Sequence, residues 1–140
     1  TREKADQALF DKLVGEADFI VNTAPLTPAT TGLFDVKFFA AAKPGAFFVN
    51  VGRGKSVVQP DLIAALRSGR LAGAGLDVTD PEPLPADSPL WQMQNVILTP
   101  HISAGSELGD ELRFAIGIEN LRRYVAGEKM LSVVDVARGY

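Results

Sequence analysis

The chain has 140 residues, 46% hydrophobic and 22% charged, enough apolar mass for one ordinary domain to close a core. Fourteen bases against seventeen acids leave a net charge of −3, which offers no electrostatic footprint for nucleic acid or an anionic membrane surface. With no cysteine and one histidine, disulfides, thiolate nucleophiles, cysteine-ligated metals and two-histidine metal sites are excluded, and no apolar stretch approaches the roughly 18 residues of a membrane span.

Residues 3–14 place Ala5, Leu9, Leu13 and Val14 at near-helical spacing, with Gly15 as the stop. Residues 17–23 (ADFIVNT) form a short apolar run that ends in polar residues and Pro25, the pattern of a buried strand entering a loop. Residues 35–42 read as a short helix closed by Lys43-Pro44-Gly45, and residues 46–51 (AFFVNV) as a second buried strand. A helix over 60–67 has Pro60 and Asp61 suited to its start and Gly69 to its C′ position. Residues 72–78 give a third strand, its glycines expected to admit a closely packed helix, and 95–99 (NVILT) a fourth. A long helix over 106–126 carries Leu108, Leu112 and Ile116 with an Ile118, Leu121, Val125 row. No linker separates two regimes of composition, no repeat recurs, no signal peptide is visible, and Thr1 is not a methionine. The expectation is a soluble, cytoplasmic piece of something longer.

Strands that are apolar throughout and alternate with helices predict an α/β fold, a parallel sheet covered on both faces. Ligands of such sheets sit beyond the carboxyl ends of the strands. Those ends carry Thr23-Ala24-Pro25 after the first strand, then Asn50-Val51-Gly52-Arg53-Gly54 after the second. Asp77 with Asp80 and Glu82 follows the third, and Pro100-His101 the fourth. Arg53 offers a planar fork for a carboxylate, between glycines that would let a ligand approach the backbone; a surface turn is its other role. His101 is the natural proton carrier at neutral pH, or a loop histidine satisfied by its neighbours. Glu82, set between Pro81 and Pro83, would fix the imidazole tautomer, or simply be a solvated acid. Asp77 ends a buried strand and needs either a structural donor or a polar ligand group.

Taken together, Asn50-Val51-Gly52-Arg53-Gly54, Leu76-Asp77-Val78 followed by Glu82-Pro83-Leu84-Pro85, and Thr99-Pro100-His101 resemble the D-isomer-specific 2-hydroxyacid dehydrogenases. Pro25-Leu26-Thr27-Pro28-Ala29-Thr30-Thr31-Gly32 is similar to that family's PLTxxTxG stretch, and Pro89-Leu90-Trp91, Asn120 to Tyr124, Val134-Asp135 and Gly139-Tyr140 extend the likeness to the end of the chain. The glyoxylate/hydroxypyruvate reductase branch is the nearest in flavour. The resemblance implies the second half of a Rossmann-like doubly wound parallel sheet over 1–104, and over 105–140 a long C-terminal helix and tail that return to a substrate domain. It implies NAD or NADP as cofactor, contacted by Ala24, Pro25, Thr30, Val51, Gly52, Arg53 and Asp77. It implies catalysis by Arg53 on the substrate carboxylate, His101 as acid/base and Glu82 as the partner that holds and orients the imidazole. A small 2-oxo/2-hydroxy acid is the implied partner, with no nucleic acid, membrane or metal, in a homodimer.

Three features depart from the family pattern. Gly52 stands where the family has Ala or Ser, which should loosen the turn, and Thr79 stands where it has Phe. The phosphate-binding glycine loop and the residue that selects NAD or NADP are not among these residues. These 140 residues alone are therefore expected to self-associate and to lack dehydrogenase activity. Two other readings share the scaffold: a dinucleotide-sensing, corepressor-like binding protein and an inactive paralogue. Formate dehydrogenase resembles it too, but has glutamine where Glu82 stands.

Overall fold

The structure, a computed structural model, describes residues 2–137, apart from the side chains of residues 2–6 and Glu107. The side chain of Ala5, in the first helix's stripe, and Gly139-Tyr140 of the family pattern lie outside the described part. The chain forms two compact units, one up to His101 and one from Ile102 onward.

The first unit runs α1 (Arg2–Glu16), β1 (Phe19–Asn22), α2 (Val36–Ala41), β2 (Ala46–Asn50), α3 (Gln59–Arg67), β3 (Leu71–Leu76) and β4 (Val96–Leu98). Its four strands are all parallel and lie in sequential order, with Asn22 opposite Asn50 and Asn50 opposite Leu76. This is the expected α/β, Rossmann-like half-sheet. Residues at their ends set its helices, Gly69 among them as the sequence suggests. Asp35 caps α2 by accepting from the Lys37 and Phe38 amides at 3.0 and 2.9 Å, and Gly69 leaves α3 with φ +74°. Asp61 does more than favour the α3 dipole: its Oδ2 accepts the Val36 amide at 2.8 Å and so ties the starts of α2 and α3 together.

The core lies on one face of the sheet. Phe48 and Ala46 of β2 and Ala74 and Leu76 of β3 meet Phe38 and Phe39 of α2 and Leu62 and Leu66 of α3. The phenylalanines interlock edge-on, with Phe34–Phe38 centroids 4.8 Å apart at 88° and Phe39–Phe48 5.4 Å apart at 88°. Such pairs add about 0.5–1.5 kcal/mol each beyond the area they bury. Arg70 closes the far end of α2, donating to the carbonyls of Phe39, Ala40 and Ala42.

Three expectations are corrected. The sheet is not covered on both faces: Phe19 and Val21 of the edge strand β1 are 66% and 55% exposed, Phe47 42% and Ile97 72%. Side chains alternate across a strand, so an apolar run states that both faces are apolar without supplying a helix for each. Gly15 does not stop α1, which runs to Glu16, and of its stripe Leu9 and Leu13 are exposed while Val14 is buried. Gly73 makes room for a strand neighbour rather than a helix, since a Cβ there would lie 2.8 Å from the Asn95 carbonyl and 3.1 Å from the Phe47 ring. Between β3 and β4 there is no α-helix, only irregular chain with a 3-10 helix at Pro89–Gln92.

The second unit is α4 (Glu107–Ala126) and the chain after it. Ser106 caps its start by accepting the Gly109 amide at 2.9 Å, and Gly127 ends it with φ +69°. Asn120 then holds the returning chain by both ends of its amide, donating to the Leu131 carbonyl at 3.0 Å and accepting the Leu131 amide at 2.7 Å. Leu108, Leu112, Ile116, Ile118, Leu121 and Val125 are all exposed.

Candidate active site

The carboxyl ends of the four parallel strands form one edge, and the candidate residues follow those ends in the chain. After β1, Ala24 is half-buried and its amide donates to Asn22 Oδ1 at 3.0 Å. Pro25 and Thr30 close the loop that follows, Thr30 Oγ1 donating to the Pro25 carbonyl at 2.7 Å and accepting the Thr27 amide at 2.8 Å. After β2, the Val51 amide donates to the Asn22 carbonyl at 3.1 Å and the Gly52 amide to Asn50 Oδ1 at 3.1 Å.

The side of Gly52 and of Gly54 where a side chain would stand faces other loops of the protein. A Cβ on Gly52 would sit 2.9 Å from both the Ala24 carbonyl and Asn22 Nδ2, and one on Gly54 would sit 1.9 Å from the Thr79 carbonyl. The glycines let three loops of the protein close on one another, so Gly52 marks a tight turn and not a loosened one. Gly54 brings the Arg53 turn against the loop that leads to Glu82. Thr79, in place of the family's Phe, donates through Oγ1 to the Pro81 carbonyl at 3.0 Å.

After β3 and β4 the structure brings together Asp77, Glu82 and His101. His101 Nδ1 lies 2.7 Å from Glu82 Oε1, both side chains being partly exposed. Asp77, 5% exposed, accepts from Thr99 Oγ1 at 2.6 Å. These residues line a cavity of about 450 Å³ whose apolar wall includes Leu84, Trp91 and Leu98. The His101 backbone is left-handed, φ +55°, and is held there by its amide, which donates to the Asp77 carbonyl at 2.8 Å. Histidine tolerates that conformation better than most side chains, although it still carries strain. Arg53 is exposed and its Nη1 donates to the carbonyl of Gly52 at 2.7 Å; it does not line the cavity.

Sequence reasoning gave no role to Asn22, Ser56 or Thr99. All three are polar groups at the strand-end edge, Asn22 and Ser56 fully buried. The signal available was Asn22 itself, a polar residue closing an apolar strand in register with Asn50. Among the described residues no cluster of histidine and acidic side chains could hold a metal, and no helix is long and apolar enough to cross a membrane.

A family model described as D-isomer specific 2-hydroxyacid dehydrogenase, NAD binding domain, matches residues 1–103. The human glyoxylate reductase/hydroxypyruvate reductase is 43% identical over 121 residues, 86% of this chain and 37% of the human protein. The crystal structure of a D-isomer specific 2-hydroxyacid dehydrogenase from Xanthobacter autotrophicus Py2 in complex with NADPH and MES superposes with a TM-score of 0.87 at 43% identity, over 95% of this chain and 54% of that one. An NADPH-dependent glyoxylate/hydroxypyruvate reductase from Sinorhizobium meliloti in complex with NADP and sulfate gives a TM-score of 0.87 at 38% identity, over 95% of this chain and 43% of that one. The chain thus spans 37% to 41% of the length of the curated relatives it matches.

Proposed function

The chain belongs to the D-isomer specific 2-hydroxyacid dehydrogenase family, and from that premise we propose that it forms the nicotinamide-facing part of an NAD(P)-dependent oxidoreductase acting on a small 2-oxo/2-hydroxy acid. Glyoxylate and hydroxypyruvate are the proposed substrates, since relatives over 86% of the chain carry those names. The observation that carries the reading is the His101–Glu82 pair, 2.7 Å apart and lining a cavity after the strand ends.

The residues present fit a dinucleotide at this edge. Asp77 is a buried carboxylate that lines the cavity, and a carboxylate accepts more than one donor, so it suits the N–H of a carboxamide as well as Thr99. Ala24, Pro25 and Thr30 after β1, and Val51, Gly52 and Arg53 after β2, would hold the remainder. NADH or NADPH supplies the hydride when bound.

Everything else falls to the side chains. Glu82 occupies Nδ1 of His101 and so leaves Nε2 to give its proton to the 2-oxo oxygen of the substrate. Arg53 has five donors and uses one on Gly52, so its fork can turn to the substrate carboxylate. Catalysis is then the holding of one carbonyl between a proton donor and a hydride donor, with the carboxylate fixing its orientation.

The test uses the complete enzyme polypeptide and follows nicotinamide absorbance with glyoxylate and hydroxypyruvate. His101→Ala should lower kcat by about 10²–10⁴-fold, the usual worth of a placed acid/base. Wild-type rates in that variant would sink the assignment. Arg53→Ala separates the corepressor-like reading, because it should sharply weaken reduction of 2-oxo acids, chiefly through a raised KM, in an enzyme and leave partner binding intact in a sensor. These 140 residues by themselves should oxidise neither NADH nor NADPH.

A further inference from the structure

A closed set of buried side chains underlies the strand-end edge. Asn22 and Asn50, 2% and 1% exposed, face each other across β1 and β2, and Ser56, 1% exposed, joins them from the turn after Arg53. Asn22 Nδ2 donates to both Asn50 Oδ1 and Ser56 Oγ at 2.8 Å, while its Oδ1 accepts the Ala24 amide. Asn50 Oδ1 also accepts the Gly52 amide, and its Nδ2 donates to the Arg53 carbonyl at 3.1 Å. Ser56 Oγ donates to that same carbonyl at 2.6 Å, and the Ser56 amide does so at 3.2 Å.

The Arg53 carbonyl is therefore gripped by three donors, and the peptide before it is held through the Gly52 amide. Turning either asparagine amide over would set oxygen against oxygen, so the network admits one arrangement. Among the described residues no buried side-chain nitrogen or oxygen lacks a partner. A fully satisfied polar network of this kind fixes geometry more than it adds stability. The backbone extends it across the sheet: the Asp77 amide donates to the Asn50 carbonyl at 3.0 Å, and the His101 amide to the Asp77 carbonyl at 2.8 Å.

We propose that Asn22, Asn50 and Ser56 are positioning residues that orient the Arg53 turn for the substrate carboxylate. The inference rests on the role given to Arg53 above. An arginine on a three-residue turn would otherwise sample many directions, whereas a clamped backbone leaves only its side-chain torsions free. Asn50→Asp keeps the acceptor that Asn22 and Gly52 use but sets an oxygen against the Arg53 carbonyl. Ser56→Ala removes one of the donors to that carbonyl.

In the complete enzyme, Asn50→Asp and Ser56→Ala should each raise the KM for the 2-oxo acid about tenfold, the scale of one lost buried hydrogen bond, with kcat within about twofold. A merely structural role would lower the active fraction, hence kcat, and leave KM alone; that pattern overturns the proposal. Arg53→Ala is measured alongside. Should it leave the KM unchanged, the anchoring role of Arg53 fails; should it raise the KM while both network variants do not, only the positioning role fails. Hydrogen exchange of the unsubstituted protein gives a test independent of variant folding. The Gly52 and Ala24 amides should exchange as slowly as those of β2, and rapid loop-like exchange would overturn the clamp.

Discussion

At the scale of single residues, the site is built from backbone constraints that side-chain chemistry then uses. His101 sits at φ +55°, where a β-branched side chain suffers most and asparagine least. His101→Val and His101→Asn both lose the bond to Glu82, so their difference isolates the backbone. His101→Val should be less stable by about 1–2 kcal/mol in denaturant titration, and equal midpoints would show that His101 is not held left-handed. Gly54 presents the opposite case. Its substitution by Ala would drive a Cβ to 1.9 Å from the Thr79 carbonyl, a backbone atom that cannot swing aside. Gly69 has φ +74° but nothing within 4 Å, so Gly69→Ala meets only the conformational cost. Gly54→Ala should therefore be the more destabilising, by about 1–3 kcal/mol, and it should also weaken the contact between the Arg53 turn and the Glu82 loop.

At the scale of elements, arginines act on α2 and α4 by different physics. Arg70 spreads its fork over three carbonyls at the end of α2, which has no glycine cap of its own. Arg70→Lys should recover only part of that and cost about 1–2 kcal/mol in stability, with the Ala42 and Ala46 amides exchanging faster. On α4, Glu119 takes hydrogen bonds from Arg122 and Arg123, and these hold its carboxyl near 2 against an ordinary 4.5. Since the folded-state value is depressed, this contribution is complete above pH 4.5 and is lost as pH falls toward 2. A side-chain NMR titration should place the Glu119 midpoint near 2 at low salt and bring it upward as salt screens the exposed pairs. A midpoint at the ordinary value would mean the ion pairs do not form in solution.

At the scale of the whole molecule, the sheet has one finished face and one open one. Phe19 and Phe47 stack on the open side with centroids 5.3 Å apart, Val21 and Ile97 lie on it, and β1 leaves its outer edge unpaired. An apolar face beside an open edge is a template for association. The 140-residue chain should accordingly self-associate in sedimentation equilibrium, and Phe19→Lys with Ile97→Lys should shift it toward monomer with little change in unfolding midpoint, because both side chains are already exposed. A wild-type chain that stays monomeric over the accessible concentration range would remove the basis for this. The same experiment on the longer polypeptide of the proposed function tests the expected homodimer.

The sequence by itself determined the order of the elements, the ends of α3 and the parallel half-sheet, because turn chemistry and apolar runs act over a few residues. Gly69 after α3 was legible for that reason, whereas the caps at Asp35, Ser106 and Gly127 came from the structure. The sequence also placed Arg53, Glu82, Asp77 and His101 at one edge, since parallel strands send their carboxyl ends the same way. The pairing of Glu82 with His101 was expected as one of two roles for Glu82, while the place of Arg53 was left to tertiary structure. Glu82 and His101 pair at 2.7 Å while Arg53 folds onto its own turn, a choice made by loops whose course no local pattern records. Tertiary structure alone showed that Gly52, Gly54 and Gly73 serve contacts between distant segments, and that Asn22, Asn50 and Ser56 interlock across separations of 28 and 34 residues. Whether a sheet face is covered was undecidable from the strands for the same reason: period-two alternation makes a face apolar, and only packing supplies what lies against it.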